Sequence, residues 1–254
     1  MIPPLLVRLV RQDLLERYAG STLGSAWLLI NPITQILIFT TVFSGLFAPR
    51  LPGNASVYDY GTYLVSGIMP WAAFANTVVR TAGVFIERRA ILTKVPVGLP
   101  TIAVHIAISE GIVLSAILLV VVALQLAFGG LTPNVLYLPL LVAQQQLLAF
   151  CLGAAGAVLT VFIRDTKDAL AVVLQIWFWL TPIVYVLSVL PAPVQALQSF
   201  NPANWFIDGY HRALVFGAPP SYGLMILSLC AGAVGSWIAL RVIRRLERDI
   251  RDFL

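Results

Sequence analysis

The chain has 254 residues, 59% of them hydrophobic and only 11% charged, with a net charge of +5. Soluble domains are about one quarter charged, and a soluble fold of this length has no means of hiding so much apolar surface, so a bilayer must be part of the solvent. Nucleic acid is excluded as the partner of the positive charge, because the cations punctuate apolar segments instead of forming a basic domain.

Residues 5–20 form the first element. At helical pitch Val7, Val10, Leu14 and Tyr18 share a face, with Arg8, Gln12, Asp13 and Glu16 opposite and Arg11 interrupting the apolar edge. Pro3-Pro4 suits a helix start and Gly20 a helix end, so this segment reads as an amphipathic helix lying along the cytoplasmic surface. A helix needs about 20 apolar residues to cross about 30 Å of hydrocarbon. Six stretches qualify: 27–47, 60–86, 101–128, 135–163, 169–190 and 222–243. They are continuous rather than alternating, which favours helices over barrel strands.

Between the fifth and sixth stretches, residues 191–220 hold two apolar pieces, 194–200 and 205–216, separated by Asn201-Pro202. Both are too short to cross and too apolar for an ordinary loop. They read as two short re-entrant helices dipping into the outer leaflet, or as a pair of surface helices. The ends and loops of one side carry 13 of the 16 Lys and Arg residues, which places both termini in the cytoplasm. The expected fold class is therefore all-α integral membrane. It is a single domain over 1–254, made of a cytoplasmic interfacial helix (1–26), a six-span region (27–243) and a cytoplasmic tail (244–254). The apolar residues recur along the whole chain, so no cleaved leader is expected.

Cys151 and Cys230 sit in apolar runs without ligand spacing and read as small buried residues; His105 and His211 have no acidic or cysteine cluster around them, so no metal site is expected. The only lysines, Lys94 and Lys167, each follow a threonine, so the Gly-Lys pair of a phosphate-binding loop is missing. An ion-coupled carrier needs buried ionisable groups, for which Arg80, His105 and Glu110 are the candidates. Glu110 has no clear partner in sequence and reads as a hydrogen-bonded carboxyl at a helix contact rather than as a proton site.

The spans carry aromatic and amide groups instead. Asn31, Gln35, Phe39, Phe43 and Phe47 recur every four residues in the first; Trp177, Thr181 and Tyr185 do so in the fifth. Amides are costly against lipid, and aromatic faces pack on the C–H faces of sugar rings, so these stripes suit a sugar conduit or, equally in chemical terms, helix packing and interfacial belts. After the second span, residues 87–96 (Glu87, Arg88 and Arg89, then Lys94 and Pro96) have room for a short helix that would give a cytoplasmic motor a rigid handle, or form a solvated basic loop.

Seven segments in order resemble the permease subunits of ABC-2 type polysaccharide exporters, most of all the O-antigen permeases, with teichoic acid permeases as close relatives. They are RYAGSTLGSAWLLINPITQILIFTTVFSGLF from Arg17, YLVSGIMPWAAFANTV from Tyr63, ILTKVPVGLP from Ile91, FIRDTKDAL from Phe162, QIWFWLTPIVY from Gln175, NPANWFIDGYHRALVFG from Asn201 and RRLERDIRDFL from Arg244. The resemblance implies a homodimer in the bacterial inner membrane, bound to two cytoplasmic ATPase subunits that would hold ATP and Mg, with no cofactor in this chain. It implies a path for a lipid-linked polysaccharide between protomers, near Asn31, Gln35, Phe39, Phe43, Phe47, Trp177, Thr181 and Tyr185. ATPase contact is expected at Glu87, Arg88, Arg89 and Lys94. Export of teichoic acid, capsular polymer, lipid or drug is an alternative cargo. A membrane-embedded transferase on lipid-linked sugars is the alternative of another class, and the carboxylate cluster it needs is not evident.

Overall fold

In the computed structural model the described residues are 4–17, 23–27, 57–92, 97–128 and 130–254, with the single positions 30, 34, 38 and 41. All regular structure among them is helical. The chain runs through α1 (Pro4–Glu16), α2 (Val57–Glu87), the single turn α3 (Arg89–Leu92), α4 (Leu99–Phe128), α5 (Leu138–Phe162), α6 (Thr166–Leu180), α7 (Ala192–Gln198), α8 (Pro202–Leu214), α9 (Tyr222–Arg245) and α10 (Glu247–Phe253). The segments through Leu99–Ala127, Pro133–Phe162 and Tyr222–Arg245 are each long and apolar enough to cross a membrane, which makes this a multi-pass membrane protein. The expected first span, 27–47, lies almost wholly outside the described residues, and with it Asn31, Gln35, Phe39, Phe43 and Phe47.

Helices α2 and α5 pack together at glycines, as membrane helices do when small residues let backbones approach. A Cβ on Gly153 would stand 2.7 Å from the Thr81 Cβ and 3.0 Å from the Val78 carbonyl, and one on Gly156 would stand 3.0 Å from the Ala82 Cβ. Gly232 and Gly235 bring α9 against Leu147 and Cys151 of α5 in the same way. Two apolar clusters result. The larger joins Tyr63, Phe74, Leu141, Ile183, Phe206 and Tyr210; the second joins Phe85, Leu92, Leu99, Phe150, Ile243 and Ile250.

Three expectations change. In α1 one residue leaves its expected face: Arg8, Gln12 and Glu16 are exposed and Val10 is buried, but Asp13, placed on the solvent face, is only 3% exposed. The fifth expected span, 169–190, is helical only to Leu180. Pro182 disfavours helical geometry in the residue before it, and Thr181 is extended with φ −102° and ψ 138°. The carbonyls freed by this break are caught by tyrosines of α2. Tyr63 donates to the Tyr185 carbonyl at 2.8 Å and Tyr60 to that of Val184 at 3.2 Å. Finally, Cys230 is exposed on α9 and Cys151 is half-buried, so neither is the buried residue expected. The two short helices between the fifth and sixth stretches are present as α7 and α8. Pro202 opens α8 and the Asn201 side chain accepts the Ala203 N–H at 3.1 Å.

Candidate functional site

Arg80 projects from α2, Glu110 from α4, and Asp13 and Arg17 from the end of α1, and the four meet in one cluster. The i, i+4 spacing of Asp13 and Arg17 sets both on one side of the chain, 3.4 Å apart. The Glu110 carboxylate accepts from Arg80 at 2.7 Å and from Arg17 at 2.7 and 3.4 Å, and the second Arg80 nitrogen donates to Asp13. Both carboxylates are buried, Glu110 at 2% exposure, while the guanidiniums keep an edge toward solvent.

Two carboxylates against two guanidiniums leave no net charge, which is the condition for tolerating ions out of water. Burial pushes the Asp13 carboxyl up, but the Arg80 hydrogen bond and charge, followed by the Arg17 charge, more than offset it and hold the group below its ordinary value of 3.8. The expectation that Glu110 lacks a clear partner is thus overturned. Its partners come from elements 30 and 93 residues away, a separation that sequence spacing does not reveal.

Around this cluster lies a more exposed layer. Arg88, at the end of α2, donates to Glu16 of α1 at 3.2 Å, and Lys167 donates to Glu87 at 2.6 Å. Glu87 and Arg88, two of the residues expected to meet an ATPase, therefore tie α2 to α1 and to the start of α6 within this chain. These pairs are solvated and hold weakly. Arg89 is exposed on α3, and Lys94 lies outside the described residues.

The aromatic residues of the fifth stretch do not line up. Because α6 stops at Leu180, Trp177, Thr181 and Tyr185 do not share a helical face. Trp177 points inward, edge-on to Trp71 and Phe74 with centroids 5.9 and 5.8 Å away, and donates its indole N–H to Asn201 at 2.8 Å. Thr181 is buried, donates to the Trp177 carbonyl and accepts from Asn201. Tyr185 lies on the irregular segment and donates to the Trp179 carbonyl at 3.1 Å. The open side of α6 carries Val172, Val173, Ile176, Trp179 and Leu180, and Leu174 is its only buried residue. Trp179 stands beside the expected stripe and not on it, because a residue two positions from Trp177 falls on the opposite face of a helix.

The long apolar helices are thus held to α1 by a cluster of charges that sums to zero. Comparison with known proteins supplies the family. Residues 4–215 match the ABC-2 type transporter family. Over 253 residues, 98% of the chain, it is 29% identical to the O-antigen export system permease protein RfbA of Myxococcus xanthus, covering 94% of that protein. It is 23% identical over the same length to the protein of that name from Klebsiella pneumoniae, covering 95% of it, so the likeness spans whole proteins rather than one motif. The chain belongs to the ABC-2 type transporter family.

Proposed function

We propose that the chain is the membrane-spanning half of an ATP-driven exporter that moves a lipid-linked polysaccharide of O-antigen type across the bacterial inner membrane. What supports this most is the end-to-end similarity to O-antigen export permeases in two organisms. In this reading the chain crosses six times with both termini in the cytoplasm, α7 and α8 re-enter the outer leaflet, and two copies pair with two cytoplasmic ABC ATPase subunits. ATP and Mg bind those subunits. Glu87, Arg88, Arg89 and Lys94 meet the ATPase; the exposure of Arg89 and the weakness of the Glu87 and Arg88 ion pairs favour that.

The polymer path runs between protomers. Asn31, Gln35, Phe39, Phe43 and Phe47 line it as a ladder of weak stacking sites, which tolerate sliding better than directional hydrogen bonds do. The unburied side of α6 forms the facing wall, with Trp179 toward the path and Trp177, Thr181 and Tyr185 supporting it from behind.

The test measures surface polymer, protein abundance and ATPase rate together, in cells carrying Phe43→Ala or Trp179→Ala. Export per assembled complex should fall severalfold while hydrolysis persists, and Leu37→Ala should change little. Export that falls only in proportion to protein level would reduce the aromatic residues to packing groups. A wild-type chain that associates with no ATPase and supports no surface polymer would sink the exporter reading itself.

A further inference from the structure

We propose that helix α10 is a brace that sets the position of the cytoplasmic loop between α2 and α4, acting through Arg251; its role in coupling rests on the exporter reading above. The two planar arms of the Arg251 guanidinium reach different parts of that loop. Nη1 donates to the carbonyl of Leu92, the last residue of α3, at 2.7 Å, and Nη2 donates to the carbonyl of Val97, two residues before α4 begins. Positions 93–96, with Lys94 among them, lie between these two anchors and outside the described residues.

A carbonyl at the end of a helix has no partner within it, and a cation there is favoured by the helix dipole. Arg251 meets both needs at Leu92 and carries the same constraint across to Val97. Glu247, one turn earlier on α10, accepts from Nη2 at 3.0 Å and fixes the orientation of the fork.

The apolar side of α10 seats it where this is possible. Ile250 is fully buried and Leu254 nearly so, in one cluster with Leu92, Val97, Leu99, Val84 and Phe85. Leu92 and Val97 are thus held twice, by backbone carbonyl and by side chain. On its other side Phe253 meets Phe162, at the end of α5, edge to face at 5.1 Å, just before the turn that leads into α6. One short helix therefore touches both the connection that carries the proposed motor contact and the end of α5.

A lysine places one nitrogen on a flexible stem and cannot hold two carbonyls in a fixed geometry, so charge alone does not replace the fork. Arg248, exposed on the same helix, serves as the control. Hydrogen exchange is measured on the purified full chain without any ATPase, for wild type, Arg251→Ala, Arg251→Lys and Arg248→Ala. Amides of residue 92 and residues 97–101 should exchange about tenfold faster in both Arg251 variants, with the middle of α5 and Arg248→Ala as in wild type. The same proteins with the cognate ATPase should show severalfold less polymer exported per ATP hydrolysed for both Arg251 variants.

Unchanged exchange in this loop for both variants overturns the brace; if Arg251→Ala fails to fold, Arg251→Lys alone decides. Faster exchange with an unaltered export-to-hydrolysis ratio overturns its role in coupling. A wild-type chain that binds no ATPase overturns the exporter reading instead, and the exchange data, which need no partner, tell the two failures apart.

Discussion

Replacing Glu110 by Gln keeps the shape of the side chain and removes its charge. Asp13 is then left as the sole carboxylate for Arg17 and Arg80, and an amide N–H₂ is turned toward guanidinium donors. Removing one member of a buried ion cluster costs about 3–5 kcal/mol. The guanidiniums of Arg17 and Arg80 are 19% and 32% exposed and can regain some hydration, which puts the cost near the lower end, about 3 kcal/mol. For a chain of this size that corresponds to a fall in Tm of about 6–12 °C. The assay is thermal unfolding of the purified protein in detergent, followed by loss of the monodisperse species. Adding Arg17→Gln restores the charge balance, with Asp13 facing Arg80, and the double variant should recover about 1–2 kcal/mol relative to additivity. A Glu110→Gln protein with wild-type Tm, or a double variant whose losses simply add, would refute the claim that neutrality of the buried cluster holds α1 to the spans.

Gly153→Leu should abolish stable expression, because its Cβ would press on Thr81 and on the Val78 backbone; Gly130→Ala, with open space around it, should express and unfold like wild type. Asp13 carries a folded pKa below its ordinary 3.8, so its contribution is fully present above that value and is lost as pH falls through the folded pKa; Tm measured from neutral pH into the acid range should drop more steeply below about pH 4 in wild type than in Asp13→Asn. Trp177→Phe keeps the aromatic contacts with Trp71 and Phe74 but leaves Asn201 without its indole donor, and should cost about 1 kcal/mol, visible as a small fall in Tm.

Helices α2, α4, α5 and α9 and the two short helices α7 and α8 were legible because length, continuous apolarity and proline position are local properties. Helices α4 and α9 fall within two residues of the stretches read from hydropathy, and α2 within three. The end of α6 was misplaced for an equally local reason: hydropathy continues past Pro182 although the helix does not. The stripe of Trp177, Thr181 and Tyr185 failed with it, since a period of four has meaning only along an unbroken helix.

Membrane location, helical class and membership of a transporter family follow from the sequence by itself, because a chain this apolar must satisfy its backbone hydrogen bonds within long helices. Which charges stand together did not follow from it. Glu110 looks unpartnered along the chain, and only the packing of α1, α2 and α4 places Arg80 and Arg17 against it and Arg80 against Asp13. The same holds for Arg251 and the carbonyls of Leu92 and Val97, 159 and 154 residues away. Coulomb and hydrogen-bond energies depend on distances in space, and three-dimensional packing alone sets those for groups on different helices.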